Sequence, residues 1–578
     1  MFCPSAFGFR ADINKDGTVN FLDLSILGNE WLEMATTITT VSDLAAYKDT
    51  AGTYYIDANG GSSGTYTLTE SITITADWTL IPINGNVTID GDGSYYFHVK
   101  DANVIFGDTI GTYTLTFTKI MSGYDHWTTS SATTSEYHYC HFTNTTTSGN
   151  NFGANGANGA KLIVKLYNCI AKYDTPSVPG ESFPSDGFNI HGTLGGANTT
   201  KHEMWLYNCI AINHYGTPFC NGATAHESCR LYIYGGDYSN NYRNIVCIQD
   251  SKTYMYGNIN VDDGYEYGIL ISGAHGEDPN FETERPYLYI GADATISIIN
   301  NDSSQTQPYK GIGLTRADAD IHGTITIDGY GYLNGAGSVG AFHIIYPETP
   351  TRDININGNI TIRNAPSYSL AITGAIGDSP TATLSGFNIQ ATDFEPVAGQ
   401  YNHAVYISKP GTFTINNCRL KGDETASGAI CLLSTRAIDL TLTKSLIYDF
   451  SNGDSDLGKG VNALNNNHTL TVENCTFYNN HWHMDIRTGS TTSFKNNIFS
   501  DGEQYGIYVD GGLDYGDING SYNWFFDNED DVSDGSNLDV TDTTAIDPEF
   551  VNAENEDFTL ALTSPCIGAA DDGGDIGY

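Results

Sequence analysis

Apolar and polar residues alternate in short runs along most of this chain. "GTYTLTESITIT", "WTLIPINGNVTIDGDG", "ANVIFGD" and "TYTLTFTK" each place β-branched or aromatic side chains at every second position, and turn-forming Gly, Asn or Asp residues bound such runs. Such alternation puts one side of a strand in a core and the other in water. The pattern starts near residue 40 and continues past residue 520 with almost no helical periodicity. At its start, "TVSDLAAYK" predicts a short amphipathic helix, and the alternating runs follow. The fold class predicted is all-β.

Imperfect repeats organise these strands. "YHYCHFTNT", "LYNCIAKYD", "LYNCIAINH", "INNCRLKGD", "VENCTFYNN" and "FKNNIFSDG" share one template: apolar, Asn, Cys or Asn, apolar, polar. Asn474 and Asn496 are 22 residues apart, about one coil of a solenoid whose strands stack into parallel sheets. Stacked Asn side chains are expected to hydrogen-bond along such a stack. A β-propeller fits less well, because the spacing is too short for four-stranded blades.

The template resembles the right-handed parallel β-helix superfamily, which includes pectate-lyase-like enzymes, alginate lyases and phage tailspikes. The resemblance covers about residues 40–535. It implies a solenoid and, as one of many activities on this scaffold, recognition or cleavage of a polysaccharide. Phage spikes of this shape are trimers, so a homotrimer is one assembly it implies. Three segments follow: 1–38, a β-helix over 39–535, and 536–578. The last, with "DPEF", "DFTL", "SPCIG" and "DIGY", resembles the terminal segment of secreted bacterial β-helix proteins and is expected to cap the last coil.

The N-terminal segment carries a different signal. In "ADINKDGTVNFLDLSILGNEWLEM", oxygen side chains occupy loop positions 1, 3, 5, 9 and 12, as Asp12, Asn14, Asp16, Asn20 and Asp23. Gly17 falls where the loop must turn sharply, and Thr18 offers its carbonyl. Hard oxygens in this array suit Ca²⁺. The stretch resembles one dockerin repeat, the calcium-binding half-module of secreted polysaccharide-degrading proteins. A dockerin has two repeats and this chain shows one, so the segment reads as a calcium-stapled cap. Assembly with other extracellular proteins is the partner that the resemblance implies.

Composition narrows the setting. Lys plus Arg total 25 against 68 Asp plus Glu, for a net charge of −43. That argues against nucleic acid or an anionic membrane as partner. It disfavours a polyanionic substrate unless cations or a local basic patch intervene. No apolar run reaches the roughly 18 residues of a membrane span, so no membrane insertion is expected. Residues 1–11 lack the basic start and apolar core of a secretory signal. The expected location is extracellular, cell-surface or virion-borne, with the signal preceding this numbering or not needed. The 11 cysteines are odd in number. The matched contexts of Cys169 and Cys209 suggest stacked, buried free thiols.

Chemistry on a solenoid must lie on an outward face or in loops. In "SDGFNIHG" (185–192), Phe188 and Ile190 share the inward parity, which turns Asn189 and His191 outward and leaves Asp186 at the turn. In "PFCNGATAHESCR" (218–230), His226 and Glu227 follow a Gly-rich turn, 35 residues after His191. Asp186, His191, His226 and Glu227 are the first candidate group. His226 is the candidate base for eliminating a uronate, with Arg230 or Arg243 to neutralise its carboxylate. Asp186 and Glu227 are the candidate pair for hydrolysis. A zinc knot at Cys220, His226 and Cys229 lacks a tight Cys-x-x-Cys pair.

The second candidate is "NHWHMDIRTG" (480–489). Read as a strand, it sends Trp482, Met484 and Ile486 inward. His481, His483, Asp485 and Arg487 then form an outward stripe for a sugar or a metal. The 38 tyrosines are the third feature, either sugar-stacking surfaces or plain strand formers. The reading is thus a polysaccharide-binding, polysaccharide-cleaving β-helix, against a non-catalytic structural or adhesive one. Chelation is expected to lower the melting temperature of the 12–23 segment; an unchanged melt in excess chelator counts against a calcium loop there.

Overall fold

The alternating runs become strands too short and too one-sided to stand alone, and each is covered by the next turn of the chain. In Leu162–Tyr167 the side chains of Leu162, Val164 and Leu166 are buried, while Ile163, Lys165 and Tyr167 are partly exposed. The computed structural model describes residues 36–578 except 63, 175–185, 193–199, 216–219, 274–284, 302–309, 332–338, 347–352, 375–378, 393–401, 452–456, 465–466, 488–489, 510–517 and 534–545. The calcium-loop residues Asp12, Asn14, Asp16, Thr18, Asn20 and Asp23 lie outside the described residues.

One coil contains three strands, as in Leu162–Tyr167, Ile170–Lys172 and Phe188–His191. We call the surfaces they build faces one, two and three. Every strand of the solenoid pairs in parallel with its counterpart one coil on, for example Leu162–Tyr167 with Glu203–Ile212 and Phe188–His191 with Asn221–His226. Faces one and two form one continuous sheet, and face three is a separate ladder of 17 strands. The result is a parallel β-helix. Its core is a single column of side chains from Ile38 to Phe525, each fully buried one contributing about 1.5–3 kcal/mol. Aromatic rings stack within it, Phe117 on Phe142 at 5.5 Å and Phe477 on Phe499 at 5.0 Å.

The repeated template marks the corner between faces one and two. Asn168, Asn208, Asn417, Asn474 and Asn496 all have φ between 50° and 57°, the left-handed region that Asn tolerates better than most residues. This corner turns the first Asn of the template away from the core, so it does not form the expected internal stack. The following residue points inward instead. Cys169, Cys209, Cys418 and Cys475 stand there with no disulfide, and all ten described cysteines are buried. Near the C-terminal end Asn497 and Asn523 take this position and do form a ladder. Asn497 Nδ2 donates to Val472 O at 2.8 Å and to Asn523 Oδ1 at 2.9 Å, and Cys475 N–H donates to Asn497 Oδ1 at 2.9 Å.

The expected helix forms over Val41–Tyr47, with Thr40 and Asp43 closing a capping box and Leu44 in the core. At the other end, the described part of the terminal segment (546–578) packs along the flank of face two. Phe558 covers Leu446 and Tyr448, while Cys566, Ala570 and Ile576 cover Ile498 and Trp524. Glu556 accepts from Arg419 Nη2 at 2.7 Å, Lys421 Nζ at 2.5 Å and Tyr448 Oη at 3.0 Å.

Asn497→Ala removes partners from two buried backbone groups of one coil, Val472 O and Cys475 N–H, and from the Asn523 side chain of the next. It is expected to lower stability by roughly 1–3 kcal/mol, read as a shifted urea midpoint; an unmoved midpoint contradicts a structural role for the ladder.

Candidate functional site

Face three turns a row of polar side chains outward. In parallel register, position follows position from coil to coil: His98, Asp125, Gly153, Asn189 and Thr224 form one column. Lys100, Trp127, Asn155, His191 and His226 form the next. Phe188 and Ile190 are fully buried in the core, as their parity predicts. The His191 and His226 rings stack at 5.0 Å and 12°. Residues 35 apart in the chain therefore share one place.

Glu227 lies between the two imidazoles. Its Oε2 is 3.4 Å from His191 Nδ1 and its Oε1 3.6 Å from His226 Nδ1, and it is only 4% exposed. Glu227 and Ser228 adopt φ of 59° and 68°. Two consecutive left-handed non-glycine residues store strain of the kind that clusters at functional sites. Burial alone raises the Glu227 carboxyl, but the two imidazoles outweigh it and hold it at about 2. Burial disfavours the His191 imidazolium, and the Glu227 carboxylate beside it and a hydrogen bond to Gly192 O reverse this, raising His191 above the ordinary value. His191 Nδ1 is occupied by Gly192 O at 3.0 Å and by Glu227, which leaves Nε2 for the cleft.

Asp186 reaches the group indirectly. Its Oδ1 accepts from Asn221 N–H and Nδ2, both at 2.9 Å, and its Oδ2 accepts from Asn189 Nδ2 at 2.5 Å. Asn189 Oδ1 in turn meets His226 Nε2 at 3.3 Å. Burial raises the Asp186 carboxyl, and its amide partners counter this only in part. Asp186 is thus a buried strut that aims Asn189 at His226.

The two arginines are not part of the group. Arg230 starts a strand of face one and lies 4.0 Å from Glu203. The chain turns at Glu227 and Ser228, which puts Arg230 around the corner from His226. Arg243 is on face three but aligns with Asn221, five residues before His226, roughly 16 Å along the strand at about 3.3 Å per residue. Its guanidinium pairs with Glu266 at 2.5 Å.

Earlier coils supply residues that the sequence reading missed. Trp127, Asn155, His191 and Gly192 line a cleft of about 330 Å³. Asp125 sits beside it, accepting from Asn155 Nδ2 at 3.3 Å, with His98 Nε2 3.7 Å away. A Cβ at Gly153 would meet Asp125 Oδ1 at 2.2 Å, so the glycine makes room for this carboxylate. Burial pushes Asp125 up to about 6, and the charge of His191 offsets part of that rise. Burial holds His98 down to about 4, hence neutral near pH 7. The available signal was parity: Asp125 and Trp127 alternate with inward Tyr124 and His126 in "GYDHWT".

The second candidate stripe is reordered. Alternation breaks at the start of Trp482–Ile486. His483 points inward, fully buried, with Nδ1 3.0 Å from Asn480 Nδ2 and Nε2 3.1 Å from Asn528 Oδ1. Its ring lies near core Phe477 and Phe499, and burial holds it at about 3. Trp482 points outward instead, stacking on Tyr508 at 4.5 Å. Met484 and Ile486 are in the core as expected. Asp485 is fully buried, bonded to Lys459 Nζ at 2.7 Å and Arg487 Nη2 at 3.1 Å. His481 Nδ1 lies 2.9 Å from Glu503. These four residues do not form one stripe.

The tyrosines stack mainly on each other. Tyr167, Tyr207, Tyr234 and Tyr256 form a column on face one with centroids 4.7–4.9 Å apart. Their faces are covered by neighbours, leaving edges and hydroxyls outward. Among the described residues no group of three or more His, Cys, Asp or Glu is arranged to hold a metal, and no helix is long and apolar enough to cross a membrane.

Residues 373–546 match the family model described as "Right handed beta helix region". The fold is a right-handed parallel β-helix. Two solved structures resemble the chain distantly. One is a substituted form of the PL6 family alginate lyase AlyGC, at 9% identity, covering 89% of this chain and 99% of that one with a TM-score of 0.22. The other is the A-module of the mannuronan C-5 epimerase AlgE4 of Azotobacter vinelandii, at 9% identity, covering 88% and 94% with a TM-score of 0.14. No curated protein matches the sequence.

Glu227→Gln removes the main opposition to burial at His191 and leaves only Gly192 O and the Asp125 charge, so its pKa should fall from its raised value in an NMR titration. In the native chain the ion pair stabilises the fold most between the two titrations. Its contribution fades as pH falls through about 2 at Glu227 and as pH rises through the raised value at His191. A His191 titration unchanged in the variant contradicts the pairing.

Proposed function

We propose that this β-helix binds a polysaccharide along face three and cleaves it at the His191 cleft, in an extracellular or virion-borne setting. The observation that carries the reading is a carboxylate-held imidazole, His191 on Glu227, opening into a cleft walled by Trp127 and Asn155. A buried carboxylate behind an imidazole fixes its orientation and favours its proton, which is what a cation facing a substrate carboxylate requires.

Elimination suits the side chains better than hydrolysis. Hydrolysis needs two carboxylates that both reach the glycosidic bond. Glu227 and Asp186 are 4% and 6% exposed and occupied by protein partners, which leaves Asp125 as the accessible carboxylate of this group. Elimination needs one base and one cation. Asp125, ionised above about pH 6, takes the proton from C5 of a uronate. The C5–H electron pair becomes the C4=C5 double bond, the C4–O bond breaks, and the leaving oxygen takes up a proton from solvent water. The His191 imidazolium faces the sugar carboxylate and steadies the charge that builds there. Glu227, Asp186 and Asn189 are positioning residues.

His191→Ala and Asp125→Asn, with circular dichroism unchanged, should each lower cleavage of an acidic polysaccharide by about 10²–10⁴-fold. An ultraviolet-absorbing unsaturated product marks elimination, and new reducing ends without it mark hydrolysis. No cleavage across acidic and neutral glycans overturns the enzyme reading in favour of a structural or adhesive β-helix.

A further inference from the structure

Three coils beyond His226, face three carries a cation that no described carboxylate neutralises. Lys310 opens the strand Lys310–Thr315 and aligns with Tyr267, which aligns with Arg243 one coil earlier. The Tyr267 ring lies between the two cations, 5.2 Å from Lys310 Nζ and 5.7 Å from the Arg243 guanidinium. Arg243 is satisfied by Glu266. Lys310 is 7% exposed, and among the described residues its Nζ has neither an ion pair nor a hydrogen bond. Burial draws it down to about 8, with the more distant Glu266 charge opposing.

The next coil adds a second unsatisfied group. His343 is 6% exposed, its Nε2 is 2.8 Å from Thr373 Oγ1, and its Nδ1 is buried without a partner. Burial first, and the Lys310 charge second, hold His343 at about 3, so it is a neutral imidazole. A buried ammonium without a counter-ion is costly. It is unexpected in a chain with 68 Asp plus Glu and 25 Lys plus Arg. A cation, an unpartnered buried imidazole nitrogen and an aromatic ring side by side on face three suit an anionic, ring-bearing ligand.

We infer that Lys310, with His343 and Tyr267, forms a subsite for the carboxylate of an acidic sugar bound along face three. The inference rests on the polysaccharide reading and extends it beyond the cleft. At about 4.8 Å per coil, Lys310 is roughly 14 Å along the axis from the His226 coil, and in the Arg243 column it is also roughly 16 Å across the face. A glycan crossing face three obliquely spans the resulting separation of roughly 21 Å in a few residues. The subsite supplies the local basic patch that the overall charge otherwise denies a polyanion.

The test is calorimetric titration of the full chain with hexamers of galacturonate, mannuronate and guluronate, and with neutral cellohexaose. Lys310→Ala should weaken acidic hexamer binding by about tenfold or more, Lys310→Arg should restore part of it, and affinity for any neutral hexamer that binds should not move. Equal affinity of wild type and Lys310→Ala for the acidic hexamers overturns the subsite, as does binding of the neutral hexamer alone, which leaves the polysaccharide reading standing. A second readout is independent of that reading. After ¹³C-methylation of lysines, the Lys310 signal, assigned by its loss in Lys310→Arg, should shift on addition of acetate. A shift with acetate but no hexamer binding sinks the polysaccharide reading and keeps the anion site. Silence in both sinks both.

Discussion

Parallel, in-register pairing of each coil with the next is the constraint on which everything else depends. Backbone hydrogen bonds set the coil spacing, and side chains have no freedom to choose another neighbour. A column of outward positions is therefore inherited from coil to coil. That is why His191 lies over His226 and why Asp125 can extend across Gly153. The candidate site is assembled by stacking, with each coil adding one or two groups.

Stacking also sets the electrical character of the site. Sheltered between coils, Glu227 and Asp125 are both carboxyls removed from water, yet they are driven apart. Glu227 has two imidazoles and sits at about 2; Asp125 has a neutral His98 beside it and rises to about 6. Opposed environments thus give two similar groups different charge behaviour over one pH range. The left-handed Glu227–Ser228 step is the backbone cost of putting that carboxylate between the rings.

The fold was legible because alternation and the Asn-Cys template are local signals that a solenoid repeats many times. Phe188, Ile190, Met484 and Ile486 face inward as parity predicted. His191, His226 and Glu227 were found because their types and turns stood out, and the structure brings them together. Asp125, Trp127 and Asn155 were missed because coil length varies: Asp125 to Gly153 is 28 residues, whereas Gly153 to Asn189 is 36. Without the register, no spacing links them. The Trp482–His483 stripe failed for another reason. One break in alternation exchanges inside for outside, and nothing in "NHWHMDIR" announces it. Arg230 failed because a tight corner lies between it and His226.

The terminal strap has a mechanical meaning. A solenoid is nearly a one-dimensional array, in which end repeats can fray one at a time because each touches only its neighbours. Glu556 joins Arg419 and Tyr448, on neighbouring coils, and Tyr578 N–H reaches Thr476 Oγ1 at 2.9 Å. Peeling the last coil then requires releasing contacts on several coils at once. These contacts tie the coils that carry Arg419, Tyr448 and Thr476 into one block.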